Sequence, residues 1–139
     1  MGLYRRSEAE RMSPLARASL LVFAGGALGS WLRFVLSLLL PQLWLLWVVN
    51  VLGAAALGVV QGRARHSGSA LAKPGLQLFW GAGFCGGFTT MSGLAVALVL
   101  LQFQLGLWQS VAYALGQVVA GLVAQRVAIG VAAKGGNLD

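Results

Sequence analysis

Gly83-Phe84-Cys85-Gly86-Gly87-Phe88-Thr89-Thr90-Met91-Ser92 is the stretch whose reading decides the fold. It lies inside an apolar segment long enough to cross a bilayer, yet it is the poorest helix-former in the sequence. Its three glycines and three hydroxyl residues weaken a helix and release backbone groups from their partners. In hydrocarbon each released group costs several kcal/mol unless protein, a watery cavity or an ion satisfies it. A spanning helix interrupted at mid-depth therefore reads as an ion or substrate site.

The rest of the chain agrees with a membrane setting. Its 139 residues are 58% hydrophobic and only 9% charged, far from the composition of a soluble domain. The three carboxylates, Glu8, Glu10 and Asp139, sit at the ends, and the single His66 falls in a basic loop. No paired carboxylates, Ser/His/Asp set or His/Cys cluster of metal-ligand spacing is left, so the chain reads as a non-enzyme. Cys85 reads as a small buried hydrophobe. The net charge of +7 does not indicate nucleic acid. Its cations flank apolar spans without interleaved aromatic residues, which suits anionic lipid headgroups.

Four spans are expected, at residues 18–40, 43–62, 76–103 and 107–131. Polar tails cover 1–17 and 132–139. Pro41-Gln42 and Gln104–Trp108 make tight hairpins, and Arg63–Gly75 is the one clear loop. Short, long and short connections imply one all-α bundle without a second domain. In the fourth span Ala112, Gly116, Ala120, Ala124 and Ala128 form a small-residue face for close helix contact. Beside it run Tyr113, Gln117, Gly121 and Gln125, whose polar side chains should face protein or water. Gly25 and Gly29 form another small pair. Trp44, Trp47 and Trp108 cluster near the hairpins like an interfacial aromatic belt.

With four spans, both tails and the long loop share one side of the membrane. That side carries Arg5, Arg6, Arg11, Arg17, Arg63, Arg65, Lys73, Arg126 and Lys134, nine of the ten Lys and Arg residues. The tenth, Arg33, lies within a span. The positive-inside rule then places both termini in the cytoplasm of a multi-pass protein of the cell inner (plasma) membrane.

The motifs resemble those of the CrcB/Fluc family of small fluoride channels. The matching strings are Gly25-Gly26-Ala27-Leu28-Gly29 with Arg33-Phe34, Val49-Asn50-Val51-Leu52-Gly53, and Gly83 to Thr90, with Tyr113 in the last span. The resemblance implies an antiparallel dimer of four-helix subunits that passively releases cytoplasmic fluoride through pores at the dimer interface, lowering fluoride toxicity. It implies a central sodium ion held by backbone carbonyls, which map here to Gly86 and Thr89. It also makes Asn50 the pore asparagine and puts Tyr113 on the polar track, with Gln117 where a smaller hydroxyl residue is usual.

Fluoride is small and tightly hydrated, so a pore must replace its water with close donors. The Asn50 amide and the hydroxyls of Thr89, Thr90, Ser92 and Tyr113 suit that task. Arg33, about 22 Å into the first helix at about 1.5 Å per residue, sits near its outer end. It either draws fluoride into a vestibule or snorkels to headgroups. Plainer readings stand beside the others. Asn50 can bond helix to helix, Gly86 and Thr89 can mark a packing kink, and Phe84, Phe88, Tyr113 and Gln117 can simply pack.

Met91 and Leu94 stand where the family usually carries pore-lining phenylalanines, and Leu46 where it carries a threonine. An antiparallel homodimer also requires weak charge bias, and the bias here is strong. Both features lead to the expectation of a heterodimer, paired with a related subunit inserted the opposite way. A proton-coupled multidrug exporter is excluded because no span holds a carboxylate. A non-conducting subunit that orients and seals a channel-forming partner is the alternative.

Overall fold

The structure, a computed structural model, describes residues 13–65 and 68–135. Four of its helical stretches are long and apolar enough to cross a membrane: Pro14–Ser37 (α1), Gln42–Ala64 (α2), Pro74–Leu105 and Leu107–Gly135. The third is composite. It opens as α3 (Pro74–Gln77), widens into a π-helical stretch, Leu78–Cys85, and closes in one turn, α4 (Gly86–Phe88). After a break it resumes as α5 (Met91–Leu105), and Leu107–Gly135 is α6. A 3-10 turn, Ala70–Ala72, precedes α3. No strand occurs among the described residues.

The ends of the spans differ from the sequence expectation for local reasons. The Ser13 side chain accepts the Ala16 N–H at 3.1 Å, and Pro14 follows at the first helical position. Residues 14–17 are therefore helix and not tail. At its far end α1 stops at Ser37, ahead of Pro41, which disfavours helical geometry in the residue before it. The second hairpin contracts to Gly106, whose φ of 105° is open to glycine and strained for other residues. α6 continues past residue 131 to Gly135. The tails 1–12 and 136–139, and His66 in the loop, lie outside the described residues.

Glycine decides the packing. A Cβ on Gly25 would fall on the Phe79 carbonyl, one on Gly29 on the Phe84 carbonyl, and one on Gly87 on the Gly26 carbonyl. α1 thus lies backbone to backbone along the third span. Lipid tails are as apolar as leucine, so such close van der Waals contact replaces the hydrophobic effect in holding helices together. Gly25 faces the Phe79 carbonyl and the Phe84 N–H, the five-residue spacing of a π turn. The α2–α6 seam is built likewise. Gly58 abuts Gln125 and Ala128, Gly62 abuts Ala132 and Ile129, and Gly121 faces Ala54. It takes members from both stripes expected on the last span and leaves Ala112 exposed.

Leu45, Val49 and Phe88 form the buried core, with Leu32, Leu36, Leu40 and Phe84 against it. Leu21 meets Gly75 and Gly62 meets Ala132, so both hairpins lie at the opposite end of the bundle. Arg17, Arg63, Arg65, Lys73 and Lys134 therefore share one end. Of the three tryptophans expected in a belt, Trp44 and Trp108 are exposed. Trp47 instead turns inward, edge-on to Tyr113 with ring centroids 6.0 Å apart.

The glycine seam makes a direct prediction. Gly29→Ala should destabilise the protein by about 3 kcal/mol through overpacking, whereas Gly130→Ala, which meets nothing within 4 Å, should be neutral or slightly stabilising. Thermal unfolding midpoints of the two variants in detergent check the contrast.

Candidate functional site

The third span breaks because two residues leave the helical basin. Thr89 has φ −76° and ψ 160°, and Thr90 has φ −147° and ψ 116°. Thr90 then caps α5, its Oγ1 accepting the Gly93 N–H at 3.0 Å. The Thr90 N–H is donated across to α2, where Asn50 Oδ1 accepts it at 2.9 Å. Asn50 Nδ2 reaches back to the Thr90 carbonyl at 3.4 Å. One side chain on α2 thus holds both backbone groups of the residue at the break.

From Asn50 a relay of hydrogen bonds runs into α6. Asn50 Nδ2 donates to Gln117 Oε1 at 2.8 Å, and Gln117 Nε2 donates to the Tyr113 hydroxyl at 3.4 Å. The Tyr113 hydroxyl donates to the Leu43 carbonyl near the start of α2 at 2.7 Å. Gln117 is 3% exposed, so the middle of the relay is buried, while its Tyr113–Leu43 end is exposed.

The same bonds strip the break of helical donors. An unbroken helix would give the Thr90 N–H to the Gly86 carbonyl and the Gly93 N–H to the Thr89 carbonyl. Asn50 and the Thr90 hydroxyl take both instead. Neighbouring carbonyls fare differently. The Cys85 carbonyl accepts both the Thr89 N–H at 3.0 Å and its hydroxyl at 2.9 Å, and Ser30 Oγ donates to the Gly87 carbonyl at 3.3 Å. Gly86 is exposed, and a Cβ there would meet nothing within 4 Å. No group of three or more His, Cys, Asp or Glu residues that could hold a metal exists among the described residues. A cation here would be bound by backbone oxygen, the ligand type suited to hard ions.

A profile described as CrcB-like protein, Camphor Resistance (CrcB), matches residues 20–131, which contain every residue of the break and the relay. The chain belongs to the CrcB family. Its relatives include a protein of Gloeobacter violaceus named fluoride-specific ion channel FluC. The two are 36% identical over 117 residues, 79% of this chain and 91% of the relative. A protein of Chlorobium phaeobacteroides with the same name is 34% identical over 111 residues, 76% and 85% of the two chains. One from Bacillus licheniformis, fluoride-specific ion channel FluC 2, is 41% identical over 85 residues, 58% of this chain and 61% of the relative.

The structure brings some of the residues singled out in the sequence together and separates others. Asn50, Thr90, Tyr113 and Gln117 meet in the relay, and Ser92 Oγ lies 3.3 Å from Thr90 Oγ1. Met91 is 77% exposed on the subunit surface, while Leu94 is 5% exposed inside it. Arg33 is half-buried on α1, one turn before its end. Two hydroxyls expected as donors have their hydrogens engaged within the subunit, Thr89 on Cys85 and Tyr113 on Leu43. Phe84 and Phe88 stack at 5.8 Å against the core, as a packing role requires.

One participant carries no sequence signal, the Leu43 carbonyl, which is a backbone atom. Leu46, singled out in the sequence only as a replaced threonine, is 2% exposed and matters through contact with Gly93. A Cβ on Gly93 would sit 3.2 Å from Leu46 Cδ2. The i, i+4 pair Tyr113–Gln117, together with the only asparagine inside a span, was the signal for the rest.

Asn50→Leu removes a partner from the Thr90 N–H and from Gln117 Oε1. Each orphaned buried group costs about 1–3 kcal/mol, so a loss of about 3 kcal/mol is expected. In a double-mutant cycle with Gln117→Leu the two effects should fall short of additive by about 1 kcal/mol, read from unfolding midpoints.

Proposed function

We propose that this chain is a subunit of a fluoride-specific ion channel that lets cytoplasmic fluoride leave the cell passively. The observation that carries the reading is the relay Asn50–Gln117–Tyr113, set beside a broken spanning helix in a chain of this family. The named relatives above act as fluoride channels by their names. A dehydrated fluoride needs short N–H and O–H contacts, and the amides with the Thr90 and Ser92 hydroxyls offer them within one neighbourhood. Donors built into this chain favour a conducting subunit over one that only orients a partner. Arg33, at the hairpin end, then faces the outer vestibule.

Sodium fits the break. The Gly86 and Thr89 carbonyls have their helical donors diverted, and they need a positive partner at membrane depth. A bound sodium ion would supply fixed positive charge beside an anion path. Two carbonyls make an incomplete shell. A second, antiparallel subunit against the exposed Gly86 and Met91 would complete it and cover that face.

The partner is a related chain inserted the opposite way. Arg17, Arg63, Arg65, Lys73 and Lys134 gather at the end opposite the hairpins, and Arg5, Arg6 and Arg11 precede that end in sequence, a bias that commits this chain to one orientation with its termini in the cytoplasm. Met91 and Leu94 leave aromatic pore contacts for that partner to provide. Relatives whose names carry the number 2 are in keeping with organisms that hold more than one such chain.

Liposome efflux tests the proposal. Fluoride release should be strong when the chain is reconstituted with an oppositely oriented homologue, weak from the chain alone, and lost when sodium is replaced by a large organic cation. A reporter fused to the C-terminus should give signal on the cytoplasmic side only. Robust efflux from the chain alone would remove the need for a partner, and none in any pairing would remove the function.

A further inference from the structure

We infer that the groove between the start of α1 and the start of the third span binds one anionic phospholipid. Its phosphate lies between Arg17 and Lys73, and an acyl chain runs along Leu78, Phe79 and Trp80. The inference concerns the lipid around the protein and stands whether or not the chain conducts fluoride.

One apolar contact brings the two cations to the same place. A Cβ on Gly75 would lie 3.3 Å from Leu21 Cδ1, so α1 meets α3 there. Arg17 is one turn before Leu21 on the same face of α1. Lys73 caps α3, two positions before Gly75. Both cations are exposed, and both line a groove of about 840 Å³. Leu21, Leu78 and Phe79, each half-buried, supply its apolar lining, and Trp80, 39% exposed, completes it. Beside it on α1, Leu15 and Leu20 are 76% and 55% exposed, so the surrounding surface is itself suited to hydrocarbon.

This lining selects its occupant. Cations above apolar side chains fit a ligand with a negative head and a hydrocarbon tail. The stems of Arg and Lys lie along apolar surface while their heads reach the level of the headgroups. The described residues contain no Asp or Glu, so they bring no carboxylate into the groove. Pro14 also lines it, and α1 has no acidic residue in its first turn, so the positive end of the helix dipole adds to the same field. A zwitterionic lipid carries an ammonium that two cations repel; phosphatidylglycerol, with a single net negative charge, does not. Inorganic phosphate would satisfy the cations and leave the apolar lining bare. A lipid touching both elements fastens α1 to the third span at the end away from the hairpins, and so stabilises the fold by mass action.

Native mass spectrometry of the full chain purified in detergent, with added phosphatidylglycerol or phosphatidylcholine, tests the site. Phosphatidylglycerol should be retained where phosphatidylcholine is lost, and it should raise the thermal unfolding midpoint. Arg17→Gln combined with Lys73→Gln should weaken phosphatidylglycerol binding roughly 30-fold. Unfolding in lipid-free detergent should stay unchanged, because both side chains are exposed. Arg126→Gln combined with Lys134→Gln removes the same charge from exposed positions outside the groove, and should leave binding as it is. Equal losses in the two double variants would overturn the inference, since net charge alone would then hold the lipid. Equal retention of the two lipids would overturn it as well, as would equal stabilisation by inorganic phosphate.

Discussion

The bond from the Thr90 N–H to Asn50 Oδ1 is the contact on which the rest of the site depends. A broken helix inside a bilayer is tolerable only if other groups take over its freed backbone atoms. Asn50 does this for both backbone groups of Thr90 and leaves the Gly86 carbonyl open. Two consequences follow from one side chain: the third span stays interrupted, and the Gly86 carbonyl stays without a helical donor. The Thr90 hydroxyl repeats the device one turn on, taking the Gly93 N–H from the Thr89 carbonyl.

The glycine seams let that contact form. Asn50 reaches Thr90 only because α2 lies close to the third span and α6 close to α2. Gly53 sits against the Thr89 and Phe88 side chains, and Gly58 and Gly62 admit α6. On the other flank Gly25, Gly26 and Gly29 hold α1 against the widened turns of Leu78–Cys85. The interrupted helix is thus gripped on two sides by backbone contacts, while Leu45, Val49 and Phe88 fill the space between them. In a membrane this packing must supply what water exclusion supplies elsewhere.

Charge and chemistry act at different levels of the same assembly. Charge of one sign at a helix end bears on which way a span enters a membrane and says nothing about the ion that passes. The relay governs which hydrogens face inward. Leu46 and Gly93 show how the two helices accommodate each other beside it, a larger side chain on α2 opposite a residue without one on α5.

Much of this was legible in the sequence. Span number, the site of the break, the glycine pair of the first helix and the asymmetry of charge follow from composition and spacing, because hydrocarbon imposes length, hydrogen-bond and charge constraints that act locally along the chain. Asn50, Tyr113 and Gln117 also stood out, as polar residues within apolar spans. Their connectivity was not legible. Whether a carboxamide faces an open path, a helix break or another amide depends on atoms 40 and 67 residues away in the chain. The Leu43 carbonyl, the inward turn of Trp47 and the burial of Leu94 likewise exist only once helices are placed side by side. The sequence by itself determined which residues must be satisfied within the bilayer; tertiary structure decided with what, because each hydrogen bond needs a partner within about 3 Å and only packing brings one there.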